Sequence, residues 1–283
     1  MKVVGAFNYP VEIAKQRLNV ISFQESRKIN TLIEGLIKYS CSKAKHYDEK
    51  VRLVTDDYQT ILPKSVNLII VPCGDMNLFD GKIFKDALYY RFEQQIFNDE
   101  MTNLLYNKVE STIEKFLTTL EIKNESYQVD FQTSNIVLKK LLGMFKPDFH
   151  NDLENLDAIE QRKLFIDTLA STEKENILVL IFPETHLGLL DMKLFKNYIK
   201  KLNMYTIIVT SHPYFIVEAD TLALVKTNRE AVDIEQIKDE LVLFKSEEAI
   251  KDISKTSKMI AYHEFCQHPY LDDELFIQFT NKY

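Results

Sequence analysis

The sequence has 283 residues, 46% hydrophobic and 27% charged, enough for one large domain or two modest ones, and that apolar fraction excludes a disordered chain. The longest unbroken apolar stretch, Ile177 to Phe182, is far short of the roughly 20 residues that cross a bilayer, and no basic-then-apolar leader opens the chain. A net charge of −7 excludes any global attraction to nucleic acid or anionic lipid, so a DNA-binding role requires local segregation of charge.

In chain order, Lys2 to Phe7, the turn Asn8-Tyr9-Pro10 and Val11 to Ala14 predict a β-hairpin, followed by a buried strand over Leu18 to Phe23. Ile29, Leu32, Ile33, Leu36 and Ile37 fall on the helical period from Ser26 to about Ala44, with Ser22 or Ser26 as the cap. Val51 to Thr55 and Leu68 to Val71 read as strands. From Phe84 to Leu120 apolar residues recur mostly four apart, which predicts one long amphipathic helix or two nearly continuous ones. If continuous, that helix is roughly 55 to 60 Å long. Ser134 to Phe145 and Leu153 to about Ser171 read as further helices packing against it. Ile177 to Phe182, the amphipathic Met192 to Leu202 and Tyr205 to Val209 then read as strand, helix, strand, a right-handed parallel crossover.

The fold class expected is therefore α/β: a head formed by residues 1–84 and 160–283, interrupted by a helical leg over 85–159. Cys41, Cys73 and Cys266 are widely spaced with no CxxC pair, which fits core residues in a reducing cytoplasm. There are only 6 glycines, against the roughly 20 that average usage would give, and this scarcity bears directly on the motifs.

Four segments follow the order used by ABC-type ATPases. A phosphate loop, GxxxxGK[ST], uses glycines to fold backbone N–H groups around phosphate, a lysine to neutralise it and a hydroxyl to hold magnesium. Here the strand-to-helix junction reads Ser22-Phe23-Gln24-Glu25-Ser26-Arg27-Lys28-Ile29. Lys28 keeps the lysine position, Ser22 and Arg27 replace the glycines, and Ile29 cannot coordinate a metal. Leu156 to Arg162 stands where a signature motif would be and has no glycine. Ile177 to Glu184 resembles a Walker B strand with Pro183 in place of the aspartate and Glu184 retained, and Leu190-Asp191 resembles the D-loop that follows. Thr210-Ser211-His212 resembles a switch-histidine loop. Taken singly, His212 and Asp191 read better as loop or helix-cap residues than as motif residues. Together the segments predict a degenerate ABC-ATPase/RecA-like head, Lys28, Glu184 and His212 marking the degenerate nucleotide site, without ATPase or nuclease activity, because phosphoryl transfer needs the positioning and metal charge that these residues lack.

A degenerate head interrupted by a helical leg resembles the CRISPR-associated adaptation accessory protein of type II-A systems, in the Csn family. The resemblance runs over roughly residues 15 to 225 and is carried by Leu18 to Phe23, Asn67 to Asn98 and Lys163 to Phe215. It implies a homotetrameric ring that binds ends of linear double-stranded DNA through its central hole and needs calcium for its shape. The ring would act in spacer acquisition beside the integrase pair and the RNA-guided nuclease. Duplex DNA carries one negative charge per roughly 1.7 Å, so such a ring must line its hole with cations. Lys139, Lys140 and Lys146 in the leg are the first candidates, and Lys193, Lys196 and Lys200 share one helix face at i, i+3 and i+7. Arg27 and Lys28 at a helix start suggest an anionic partner there.

Calcium takes six to eight oxygens. Glu121, Glu125 and Asp130 lie where the resemblance places the calcium region, although their spacing matches no EF-hand loop. Asp75 and Asp80, beside Gly74 and Gly81, fit turn formation better, and His263, Cys266 and His268 lack a fourth metal ligand. Two other readings stand beside the DNA-end clamp. One is an active ABC-type or DNA-repair ATPase. The other is a helical adaptor that touches no nucleic acid.

Overall fold

The computed structural model describes residues 1–41, 51–73, 78–79, 81–123, 128–130, 138–145, 156–171, 173–228, 230–244 and 252–266. The chain divides into two compact units, Met1–Met76 with Ala170–Tyr283, and Asn77–Leu169. The boundaries expected at 84/85 and 159/160 differ from these, because the helices Lys82–Asn98 and Ala158–Leu169 fall wholly within the second unit.

The first unit is built on a parallel five-stranded sheet. Its strands are β3 (Asn19–Phe23), β5 (Val66–Val71), β8 (Glu175–Ile181), β9 (Tyr205–Val209) and β10 (Thr221–Val225), in the order β10-β3-β9-β8-β5. A parallel sheet of this kind is covered on both faces, which is why β3 is buried at all five positions and β8 is apolar without a break from Ile177 to Ile181. The odd-numbered residues Ile21, Ile177, Val179, Ile207 and Val209 face a core shared with Leu32 and Leu36 of α1 (Ser26–Cys41). The smaller antiparallel sheet β2-β1-β4 lies on this core too: β1 (Lys2–Val4) pairs with β2 (Val11–Glu12), the expected hairpin, and with β4 (Arg52–Val54).

Met192, Phe195 and Ile199 of α6 (Leu189–Lys201), with Phe215 and Ile216 of α7 (Pro213–Glu218), are buried outside that core, which assigns them to the opposite face. β8, α6 and β9 form the expected crossover between parallel neighbours. The unit closes with α8 (Ile234–Phe244) and α9 (Ile253–Cys266).

Asn19 ties these parts together. It is 1% exposed, and its Nδ2 donates to the carbonyls of Ala14 at 2.9 Å, Arg17 at 3.3 Å and Thr206 at 2.7 Å. Its Oδ1 accepts from Ala14 N at 3.0 Å and Thr221 Oγ1 at 2.7 Å, so one amide joins β3 to its entry loop, to β9 and to β10. Tyr9 is the opposite case: its hydroxyl is buried with no hydrogen-bond partner among the described residues, and burial pushes its pKa up to about 12. Because an unmet buried hydroxyl is a net cost, Tyr9→Phe is expected to raise the urea midpoint, by about 0.5 to 1.5 kcal/mol in unfolding free energy. An unchanged or lower midpoint would show that the hydroxyl has a partner in solution.

In the second unit the long apolar period resolves into two helices, α2 (Lys82–Asn98) and α3 (Glu100–Thr118). Asp99 separates them. Its backbone is extended (φ −105°, ψ 117°), and its carboxylate accepts from Thr102 N at 2.9 Å, capping α3. That bond lowers the Asp99 pKa, and of the two arrangements expected, one long helix or two nearly continuous ones, the structure has the second, with helices of about 25 and 28 Å. A hairpin of β6 (Glu121–Lys123) and β7 (Gln128–Asp130) follows, then α4 (Leu138–Leu142) and α5 (Ala158–Leu169).

Asp157 Oδ1 caps α5 through Ile159 N and Glu160 N, both at 2.8 Å, while Glu160 reaches back to Asp157 N. Among the described residues the buried apolar side chains here centre on Phe84. Phe84, 1% exposed, stacks on Phe165 with ring centroids 5.8 Å apart and meets Phe79 edge-on at 5.0 Å. Arg91 clamps α2 to the carboxyl end of α5 through the Thr168 carbonyl at 2.9 Å and the Asp167 carbonyl, a favourable place for a cation.

Candidate functional site

In an open parallel sheet, ligands bind at the carboxyl ends of the strands, where loops from several strands meet. In the first unit these are the β3–α1 turn, the β8–α6 segment, the β9–α7 loop and the residues after β10. Three of the motif segments converge there.

Glu184 accepts from Thr210 Oγ1, which lies 2.8 Å from both carboxylate oxygens, and Thr210 Oγ1 accepts in turn from His212 N at 2.9 Å. His212 is the N-cap of α7: its Nδ1 accepts from Tyr214 N at 3.2 Å, with Pro213 at the first helical position. Asp191 is the third residue of α6 and reaches back to its N-cap, its Oδ2 accepting from Gly188 N at 3.1 Å. The segment between β8 and α6 turns sharply, with Phe182 at φ 47° and His186 at φ 62°, left-handed values that cost non-glycine residues about 1 to 3 kcal/mol each.

The phosphate-loop position is filled. Ile29 is buried in the core beside α1, so its side chain faces away from any metal. Lys28 Nζ donates to the carbonyls of Lys226, at 3.0 Å, and Thr227, which are the partners found where the sequence suggested an anion. Gln24 bridges the turn, its Oε1 accepting from Thr227 N at 2.8 Å and its Nε2 donating to the Phe265 carbonyl at 2.6 Å. Ser22 is a buried strand residue, not a cap, and its Oγ lies 3.2 Å from Ser211 Oγ. Tyr262 donates to the Ser211 carbonyl at 2.5 Å. Its pKa is pushed up, by burial first and then by its hydrogen bond to Cys266 and the Glu184 charge. Gln24, Lys226, Tyr262 and Glu264 were not among the residues singled out from sequence. Nothing local marks them, since the Gln24 and Phe265 contact spans 241 positions.

The six candidate DNA-contacting lysines divide. On α6, Lys196 pairs with Glu218 at 2.9 Å and Lys200 with Asp220 at 2.9 Å, so both are engaged inside the unit. Burial acts to lower the Lys196 pKa, but the hydrogen bond and charge of Glu218 outweigh it and the net direction is up; Glu218 is correspondingly lowered by Lys196, and also by Lys255. Lys193 is exposed and makes no ion pair among the described residues. On α4, Lys139 meets Asp86 at 3.2 Å while half exposed, and Lys140 is exposed with no ion pair among the described residues. Lys146 lies outside the described residues.

Of the calcium candidates, Glu125 also lies outside the described residues. The β6–β7 register makes Glu121 and Asp130 direct backbone partners. Two carboxylate-bearing residues do not supply six to eight oxygens, and among the described residues no group of three His, Cys, Asp or Glu is placed to hold a metal. The described residues alone therefore do not fit a calcium ion. Asp75, Asp80 and His268 are outside the described residues, as is Gly74, while Gly81 is the N-cap of α2.

α3 carries another surface feature. It has no buried residue, and Met101, Leu104, Leu105, Val109 and Phe116 form an apolar stripe along it, from 44% exposed at Val109 to 72% at Met101.

The architecture is a mixed α/β chain with a parallel five-stranded sheet and a largely helical second unit. In fold it is similar to Stu0660 of Streptococcus thermophilus, known from a crystal structure, with a TM-score of 0.64 over 99% of this chain and 99% of that one, at 13% sequence identity. No protein-family model matches the sequence, and no curated protein does. Among the described residues no helix is long and apolar enough to cross a membrane.

Proposed function

We propose that this chain is a non-enzymatic binder of linear double-stranded DNA ends, built on an ABC-ATPase-derived head with a helical leg and working as a homotetrameric ring. In this reading it serves CRISPR type II-A spacer acquisition in the cytoplasm, beside the integrase pair and the RNA-guided nuclease. Calcium enters through the family resemblance and is not carried by the geometry. The observation that carries the reading is the α3 stripe: five large apolar side chains exposed on one helix face call for a covering surface, and a second copy of the chain supplies one.

Two other features agree with it. The phosphate-loop position is occupied by the chain's own side chains, which speaks against an ATPase, and the exposed Lys140 with the half-exposed Lys139 offers cations to phosphate. The likeness to Stu0660 along the whole chain supports the fold on which the reading rests.

The test compares binding of linear and relaxed circular duplex across a salt series, with light scattering with and without a calcium chelator. Linear duplex is expected to be retained and circles lost, with a mass near four chains that falls on chelation. Replacing Lys139, Lys140 and Lys146 by glutamate should weaken linear binding by at least about tenfold and flatten its salt dependence, since fewer counterions are released. Equal affinity for circles and linear DNA would overturn the reading. So would a chelator-insensitive monomer, which favours the adaptor, or micromolar ATP binding with magnesium, which favours the ATPase.

A further inference from the structure

The carboxyl edge of the parallel sheet carries three side-chain donors of the kind a phosphate-binding protein turns toward its ligand: the ammonium groups of Lys28 and Lys226 and the amide of Gln24. Each already has an oxygen of this chain. Lys28 donates to the carbonyls of Lys226 and Thr227, Lys226 pairs with Glu264 Oε1 at 2.8 Å, and Gln24 donates to the Phe265 carbonyl at 2.6 Å.

The last two of these oxygens come from the final turn of α9, where the negative pole of the helix dipole lies. Within the same turn, Tyr262 donates to the Ser211 carbonyl at 2.5 Å and fastens α9 to the β9–α7 loop, and Ser211 in turn lies against Ser22 at the end of β3. The other end of α9 is anchored near the start of β10, by Lys258 donating to the Ala219 carbonyl at 2.6 Å and Lys255 pairing with Glu218 at 3.0 Å. The helix therefore spans the height of the sheet and delivers its carboxyl end to the strand edge.

We propose that the last turn of α9, Tyr262 to Cys266, is an intrachain ligand of the carboxyl edge. Its Phe265 carbonyl and Glu264 carboxylate take two of the three donors that would otherwise receive a phosphate, Gln24 and Lys226, while Lys28 is held by the Lys226 and Thr227 carbonyls, and its contacts lock the β3–α1 turn to the β9–α7 loop. An incoming anion would meet a negative helix end, a carboxylate and no unpaired donor among these three. The edge is closed by occupation as well as by the loss of glycines. This inference rests on the geometry of the first unit and not on the DNA-binding reading.

Hydrogen exchange on the full chain tests it. Tyr262→Phe keeps the ring that stacks on Phe265 at 6.4 Å and removes only the hydroxyl. It is expected to speed amide exchange about fivefold in residues 22–29 and 210–216, the effect of losing one hydrogen bond from a local lock, with residues 1–12 and 51–54 unchanged. Glu264→Lys should loosen the same two segments by repelling Lys226, and adding Lys226→Glu should restore most of the protection by rebuilding the pair with reversed sign. Unchanged exchange in both single variants would overturn the proposal. A uniform rise across the whole unit would do the same, because α9 would then be a general brace. Failure of the charge swap to restore protection would remove the assigned role of the Lys226 and Glu264 pair. Duplex binding is not read in this experiment, so its outcome is separate from that of the ring test.

Discussion

Replacing Asn19 by aspartate is expected to destabilise the first unit by about 3 kcal/mol or more at neutral pH, although it changes a single amide nitrogen to oxygen. In the native chain that nitrogen donates to the carbonyls of Thr206 at 2.7 Å and Ala14 at 2.9 Å, in a site 1% exposed. An ionised carboxylate would face those carbonyls with a third negative oxygen and no water to screen them. The folded protein therefore favours the protonated acid, whose one O–H satisfies only one of the carbonyls. The folded-state pKa of the new acid lies above its unfolded value of about 3.9. Protons are then bound more tightly by the folded state, so stability is greatest in acid and falls as pH rises above that value. Urea melts of the variant at pH 4 and pH 7, set against Asn19→Ala, check this. A variant equally stable at both pH values would show that the Asn19 amide is not the donor to Thr206 and Ala14.

Phe84→Ala should be the most damaging single truncation in the second unit, costing about 3 to 5 kcal/mol, the range for removing a fully buried phenyl ring. The context favours the upper part of that range. Among the described residues of this unit the buried apolar side chains are few, namely Phe84, Leu138, Ile159, Phe165 and Ile166, and Phe84 makes ring contacts with both Phe165 and Phe79. With so few buried neighbours among the described residues, there is little described material to collapse into the cavity. Hydrogen exchange is the discriminating measurement. Residues 82–118 and 158–169 are expected to exchange faster, while the strand segments 19–23 and 177–181 keep their protection. Equal loss in both sets would mean that the two units unfold as one.

Much of the sheet was legible in the sequence because burial on both faces leaves a direct record. Leu18 to Phe23 and Ile177 to Phe182 could be read as strands, and the strand, helix, strand order after them implied parallel neighbours. The break at Asp99 was harder to see, because Phe97 and Met101 keep the four-residue apolar spacing across it. The signal present was an aspartate three residues before Thr102, a capping residue hidden within an otherwise helical run.

At the site, the loss of glycines and the place of Lys28 on the first turn of α1 followed from spacing alone. What Lys28 binds did not, because its carbonyl partners are some 200 residues away in sequence. The lysine row on α6 shows the same limit. The helical face was predictable, but Glu218 and Asp220, which engage two of its three cations, belong to a different element.

The strand order has a further consequence for how the chain is made. Among the described residues β5 pairs only with β8, and β3 lies between β9 and β10. At synthesis rates of roughly 5 to 20 residues per second, β5 leaves the ribosome several seconds before its neighbour exists, because 103 residues separate Val71 from Glu175. β3 waits nearly twice as long. Over that interval the nascent polypeptide exposes two apolar strands with open hydrogen-bonding edges while residues 77–169 are completed. Until those neighbours are made, these strands are the segments that chaperones acting on nascent chains would have to shield.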